Sequence, residues 1–190
     1  MRLFAIALLV LAALPSAEAT PPALPRDSVY QLKAALTDQA GRRLALADKR
    51  GTAQVVVMFY SSCNFSCPTI IDTLQDLERK LAADERKRLG VLMISFDPQR
   101  DTPAALKATA DKRGLDLTRW TLAQPQPADV RSIAGLLGVR LRQLADGDFN
   151  HTGGLVLLDA EGRIVARSDK TSGVVDPQFV GRVRAVLAQP

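Results

Sequence analysis

Two thiols and one imidazole are the groups in this chain best suited to soft-metal or redox chemistry, and none has a duplicate. Cys63 and Cys67 are the only cysteines, in Tyr60-Ser61-Ser62-Cys63-Asn64-Phe65-Ser66-Cys67-Pro68, and His151 is the only histidine. On a helix, two cysteines four positions apart share one face. A helix N-terminus favours their thiolates, the form that binds metal and attacks disulfides. The pair can close as a Cys63–Cys67 disulfide, or act as a two-sulfur claw for a metal with a third ligand opposite. His151 is the candidate third ligand. Two thiolates with an imidazole suit Cu(I). Structural zinc ordinarily takes four protein ligands, although a catalytic zinc with an open position needs only three. A blue-copper centre takes two histidines, and this chain has one.

Each residue also has a plainer reading. The cysteines could be a structural staple, but a crosslink closing so short a loop constrains little of the unfolded chain. A lone histidine is more often a core or surface residue than a ligand. Here its position raises the ligand reading, because it lies between the polar loop Asp146-Gly147-Asp148-Phe149-Asn150 and the strand from Gly154, the region that borders the cysteine helix in a thioredoxin fold. The charged segment Asp97-Pro98-Gln99-Arg100-Asp101-Thr102-Pro103 reads as a strand end, a salt-bridged turn and a helix cap.

The elements that must position these groups follow from periodicity. Val55 to Tyr60 is a continuous β-branched and aromatic run, predicting a strand covered on both faces just before Cys63. Ile70, Leu74, Leu77 and Leu81 recur at helical spacing, predicting an amphipathic helix that starts near Pro68, just after the cysteine pair. Val91 to Phe96 is a second core strand, and Thr102-Pro103 opens a helix that Gly114 stops. A short strand at Trp120 to Leu122 and a helix over Pro127 to Leu137 come next. Strands at Leu155 to Leu158 and Arg163 to Arg167 flank a turn, and Asp176-Pro177 starts a last helix. Ahead of all these, alternation from Val29 to Leu46 around Asp38-Gln39-Ala40-Gly41 predicts a hairpin. The expected fold class is α/β, thioredoxin-like, with an added N-terminal β-hairpin and a central insertion. Thioredoxin-like redox enzymes place a cis-proline before the strand that here follows His151-Thr152-Gly153-Gly154. Its replacement argues against a generalist disulfide reductase.

Residues 1–19 are expected to be a signal peptide: Arg2, an apolar stretch from Leu3 to Leu14, then Ala17-Glu18-Ala19. A bilayer-spanning helix needs about 20 apolar residues, so an uncleaved membrane tether is the weaker reading. Residues 20–28 are expected to be a flexible proline-rich leader, and residues 29–190 one domain. Export places the cysteine pair in an oxidising compartment, the periplasm. The formal net charge is +5, from scattered Lys and Arg interleaved with acids. Nothing resembles an aromatic-studded nucleic-acid groove, so the surplus fits solubility, an acidic partner or an anionic membrane.

Taken together, three stretches resemble the Sco/SenC family of copper-binding, thioredoxin-fold proteins that help assemble the CuA centre of cytochrome c oxidase. They are the strand leading into Cys63-x-x-x-Cys67-Pro68, Ile94-Ser95-Phe96-Asp97-Pro98-Gln99-Arg100-Asp101-Thr102, and His151 shortly before Leu155-Val156-Leu157-Leu158-Asp159-x-x-Gly162. The resemblance runs from about Tyr30 to Leu187. It implies copper ligands at Cys63, Cys67 and His151, and binding of both Cu(I) and Cu(II). It implies a partner in the CuA domain of oxidase subunit II, with other periplasmic copper chaperones or thiol reductants as further contacts. Many members of the family carry a proline and then an acidic residue after the first cysteine. This chain has Asn64-Phe65-Ser66, without the carboxylate.

Two functions compete. A copper chaperone that delivers copper to the CuA site, or keeps that site reduced, needs all three ligands. A metal-free thiol–disulfide oxidoreductase, an enzyme, needs Cys63 and Cys67 as its catalytic pair and tolerates loss of His151. A peroxiredoxin-type peroxidase is disfavoured, because Ser61-Ser62-Cys63 lacks the Pro-x-x-x-Thr-x-x-Cys approach of those enzymes.

Overall fold

The computed structural model describes residues 23–62, 66–145 and 147–189, without the side chains of Ser66 and Cys67. The expected signal peptide, residues 1–19, lies outside them. So does the start of the leader, whose last residues lie against the domain. Leu24 packs on the core, and the Ser28 hydroxyl donates to the Glu161 carbonyl at 2.6 Å.

The sheet has seven strands: β1 (Ala35–Asp38), β2 (Arg43–Ala45), β3 (Ala53–Phe59), β4 (Leu89–Ser95), β5 (Trp120–Pro125), β8 (Leu155–Leu158) and β9 (Ile164–Ser168). A separate pair, β6 (Leu141–Gln143) and β7 (Phe149–His151), stands outside it. The order across the sheet is β2-β1-β5-β4-β3-β8-β9, with β3, β4 and β5 parallel and the flanking pairs antiparallel. Among the described residues five α-helices complete the fold: α1 (Ser66–Lys80), α2 (Ala83–Lys87), α3 (Pro103–Lys112), α4 (Val130–Leu137) and α5 (Pro177–Leu187). This is the expected thioredoxin-like plan. The central insertion is α3 with β5, which adds a parallel strand beyond β4.

Every residue of β3 and β4 is buried, as their unbroken apolar runs require. On one face, Val56, Ile94 and Leu158 meet Ile133 and Leu137 of α4. On the other lies α1, where Glu78 accepts from the Trp120 indole N–H at 3.0 Å. Ile70, Leu74, Leu77 and Leu81 of α1 are buried, each contributing roughly 1.5–3 kcal/mol of transfer free energy. Helices α3 and α5 start as predicted: Thr102 Oγ1 accepts from the Ala105 amide, and Asp176 from the Gln178 amide.

Local departures have local causes. The N-terminal hairpin is shorter than its alternation suggests. Ser28 Oγ accepts from the Tyr30 amide and caps a 3-10 turn over Val29–Gln31, while a second such turn takes Leu46–Lys49. The hairpin turn itself is as expected. Asp38 Oδ1 accepts from the amides of Ala40 and Arg42, and Gly41 takes φ 77°. The charged run after α1 forms its own short helix, α2. The residues read as a polar loop before His151 include strand β7.

Candidate metal centre

Cys63 lies outside the described residues, with Asn64 and Phe65. Cys67 is the second residue of α1, in a first turn whose amide groups have no partner within the helix. Pro68 follows, where a missing N–H costs the helix nothing. A strand end and a helix start thus frame the cysteine segment, as its sequence predicts.

His151 ends β7, paired with Leu141 across the small hairpin. Its half-buried ring sits 4.8 Å from the Phe96 ring centroid and 6.1 Å, edge-on, from that of Tyr60. Tyr60 immediately follows β3 and lies three residues before Cys63. The imidazole is therefore at the end of the sheet from which the cysteine segment departs. Just beyond, a Cβ on Gly153 would lie 3.9 Å from Ile70 Cδ1, so the chain leaving His151 passes close to the start of α1. His151 Nδ1 is 3.4 Å from the Thr152 carbonyl oxygen.

The hairpin carrying His151 is fastened from two sides. The Tyr60 hydroxyl donates to Asp148 Oδ1, which also accepts from the Phe149 amide at 3.0 Å. The Tyr60 hydrogen bond is the main reason the Asp148 carboxyl is held below its ordinary pKa. Arg100 donates from Nη2 to the Gly147 carbonyl at 2.7 Å and pairs through Nε with Asp97. Its guanidinium lies 5.9 Å from the centroid of Tyr60 and 5.8 Å from that of Phe149. The Asp97 pairing raises the Arg100 pKa further.

Beneath the site, Asp101 joins the ends of β3 and β4. Its fully buried carboxyl accepts from the Ser61 amide at 3.0 Å, from the Ser61 hydroxyl and from the Ser95 hydroxyl. Ser95 Oγ in turn accepts from the Asp97 amide at 2.9 Å. Burial pushes the Asp101 pKa up, against the opposing pull of these donors. The residue therefore fixes Ser61, two positions before Cys63.

The expected ion pair and helix cap within Asp97–Pro103 are present, at Asp97–Arg100 and Thr102. The roles of Tyr60, Arg100, Asp101 and Asp148 were not legible from spacing. The available signal was only proximity: a tyrosine and serine abutting the cysteines, and an aspartate in the loop before the histidine.

The SCO1/SenC family profile matches residues 26–187. The chain belongs to the SCO1/SenC family. A copper-binding protein, by its name, from Stutzerimonas stutzeri is 27% identical over 144 residues, 74% of this chain and 69% of that one. A structure of Arabidopsis thaliana ScoI with copper bound superposes with TM-score 0.66 at 19% identity, covering 80% of this chain and 96% of that one. BsSco, described as having a disulfide switch and as a member of the Sco family of cytochrome c oxidase assembly proteins, superposes with TM-score 0.70. Its identity is 18%, over 88% of this chain and 99% of that one. These structural likenesses establish the thioredoxin-like SCO1/SenC fold. Among the described residues no helix is long and apolar enough to cross a membrane.

Proposed function

We propose that this SCO1/SenC protein binds one copper ion through the sulfurs of Cys63 and Cys67 and the imidazole of His151. It acts after export to the periplasm, directed by residues 1–19. Its task is to deliver copper to the CuA site of cytochrome c oxidase subunit II, or to keep the cysteines of that site reduced. The observation that carries the reading is the placement of the chain's one imidazole. Its ring is packed on Phe96 and Tyr60 at the sheet end where the cysteine segment begins, and its hairpin is fastened there by Tyr60 and Arg100. The donor set is soft, as Cu(I) prefers. Copper is cargo in this reading, and the residues' work is to hold and surrender it.

The thiols must be reduced for the site to load, because a Cys63–Cys67 disulfide leaves neither sulfur as a thiolate. Copper binding by the Stutzerimonas relative and by the Arabidopsis structure supports the cargo. The description of BsSco supports the oxidase as destination.

The test is titration of the reduced protein with Cu(I) against a competing chelator, alongside His151→Ala and Cys63→Ser. Wild type is expected to bind one equivalent tightly, and both variants to lose that binding. Retention of full affinity in His151→Ala would refute the three-ligand site and favour the metal-free redox cycle.

A further inference from the structure

A groove of about 410 Å3 opens beside the site, between the Asp97–Gln99 turn, the start of α4 and the β6–β7 hairpin. Its accessible apolar lining is the half-buried Leu141 and Phe149, backed by the buried Phe96 and Val130, and its edges carry Arg131 and Arg142. Both arginines are exposed, and among the described residues neither is paired with a carboxylate. Arg140, exposed at the foot of the same hairpin, is likewise unpaired. Asp97 lines the groove too, but Arg100 already neutralises its carboxylate. A concave apolar floor between uncompensated guanidinium groups is complementary to carboxylates flanking a large apolar side chain.

The groove is also continuous with the candidate metal centre. Phe96 and Phe149 meet edge to face with ring centroids 5.1 Å apart, and Phe96 is the ring against which His151 packs. The two sites share that wall.

We infer that this groove docks an acidic segment of a partner protein, with an apolar side chain on Leu141 and Phe149 and carboxylates on Arg131 and Arg142. The inference goes beyond the copper reading and does not depend on it. A flat anionic membrane would meet the arginines but leave the concave floor unfilled. A nucleic acid would need a longer basic track.

The test is a titration of the metal-free protein, followed by amide NMR, with the peptide acetyl-Glu-Asp-Phe-Asp-Glu-amide. Controls replace its four acidic residues by lysine, or its phenylalanine by glycine. Saturable shifts at Leu141 to Gln143 and Phe149 are expected for the acidic peptide, weakened in both controls and by added salt. Arg131→Glu and Arg142→Glu should each weaken binding about tenfold, the scale at which charge reversal of a close pair acts. Absence of saturable shifts, shifts mapping elsewhere, equal response to the lysine peptide, or indifference to both substitutions overturns the proposal. Cosedimentation with phosphatidylglycerol vesicles, abolished by the same substitutions and without peptide binding, overturns it in favour of a membrane. Because no metal is present, the result stands apart from the copper titration.

Discussion

Replacing Arg100 by alanine should loosen the His151 hairpin without unfolding the protein. Three attachments disappear: the hydrogen bond to the Gly147 carbonyl, the ion pair with Asp97, and the stacking over Tyr60 and Phe149. A hydrogen bond from a charged donor contributes about 1.5 kcal/mol. The guanidinium is 46% exposed, so solvent screening limits the cation–π contacts to roughly 0.5–1 kcal/mol. The same screening limits the ion pair to well under about 1 kcal/mol. The ion pair stays outside the hairpin, so the sum acting on the hairpin is about 2–2.5 kcal/mol. Each 1.4 kcal/mol is a factor of about ten, so local opening should become roughly 30- to 60-fold more frequent. Native-state hydrogen exchange reads this directly. The Leu144 amide, bonded to the Asp148 carbonyl, and the Thr152 amide, bonded to the Arg140 carbonyl, are the reporters. Amides of β3 should keep their protection to within the smaller change in global stability. Unchanged exchange at Leu144 and Thr152, or an equal rise in β3, would refute the account of Arg100 as a fastening for this hairpin.

Three further expectations concern the framework. Asp101→Ala should cost about 2–3 kcal/mol in urea unfolding, because it strands the buried Ser95 hydroxyl and the half-buried Ser61 amide at the strand ends. Since burial raises the folded pKa of Asp101 above its unfolded value, its titration adds stability that is fully present below the unfolded pKa and is lost as pH rises through the folded one. Wild type should therefore gain on Asp101→Asn as pH is lowered from neutrality toward the ordinary carboxylate range. A pH-independent difference would contradict that sign. Gly41→Ala, where a Cβ meets no atom within 4 Å but φ is +77°, should destabilise by about 1 kcal/mol through backbone strain alone, measured by thermal unfolding.

Local pattern carried most of the architecture. The β-branched run of β3 and the four-three-four spacing in α1 are decided by burial periodicity, which a sequence displays openly. A start of α1 close to Pro68 was legible from the proline itself, and the helix begins two residues earlier, at Ser66. Features held by distant partners were not. The polar residues before His151 gave no strand signal, because β6 and β7 are too short to be fixed by pattern and depend on Tyr60 and Arg100. Asp101 looked like part of a capped turn. Its partner Ser61 is 40 positions earlier in the chain, and no local motif joins them. In the N-terminal hairpin, alternation overran the true strand because a single serine hydroxyl made a tight turn preferable.

The ring wall formed by Phe96 and Phe149 has a thermodynamic consequence. It belongs at once to the groove and, through the contact of Phe96 with the imidazole, to the surroundings of His151. A ligand that favours one arrangement of these rings changes the free energy of whatever binds the imidazole, and linkage makes the effect mutual. Occupancy at His151 then alters affinity in the groove by the same factor that groove occupancy alters affinity at His151. On the proposed reading, metal at His151 and a segment in the groove would each tune the other's binding, with no movement of the central sheet.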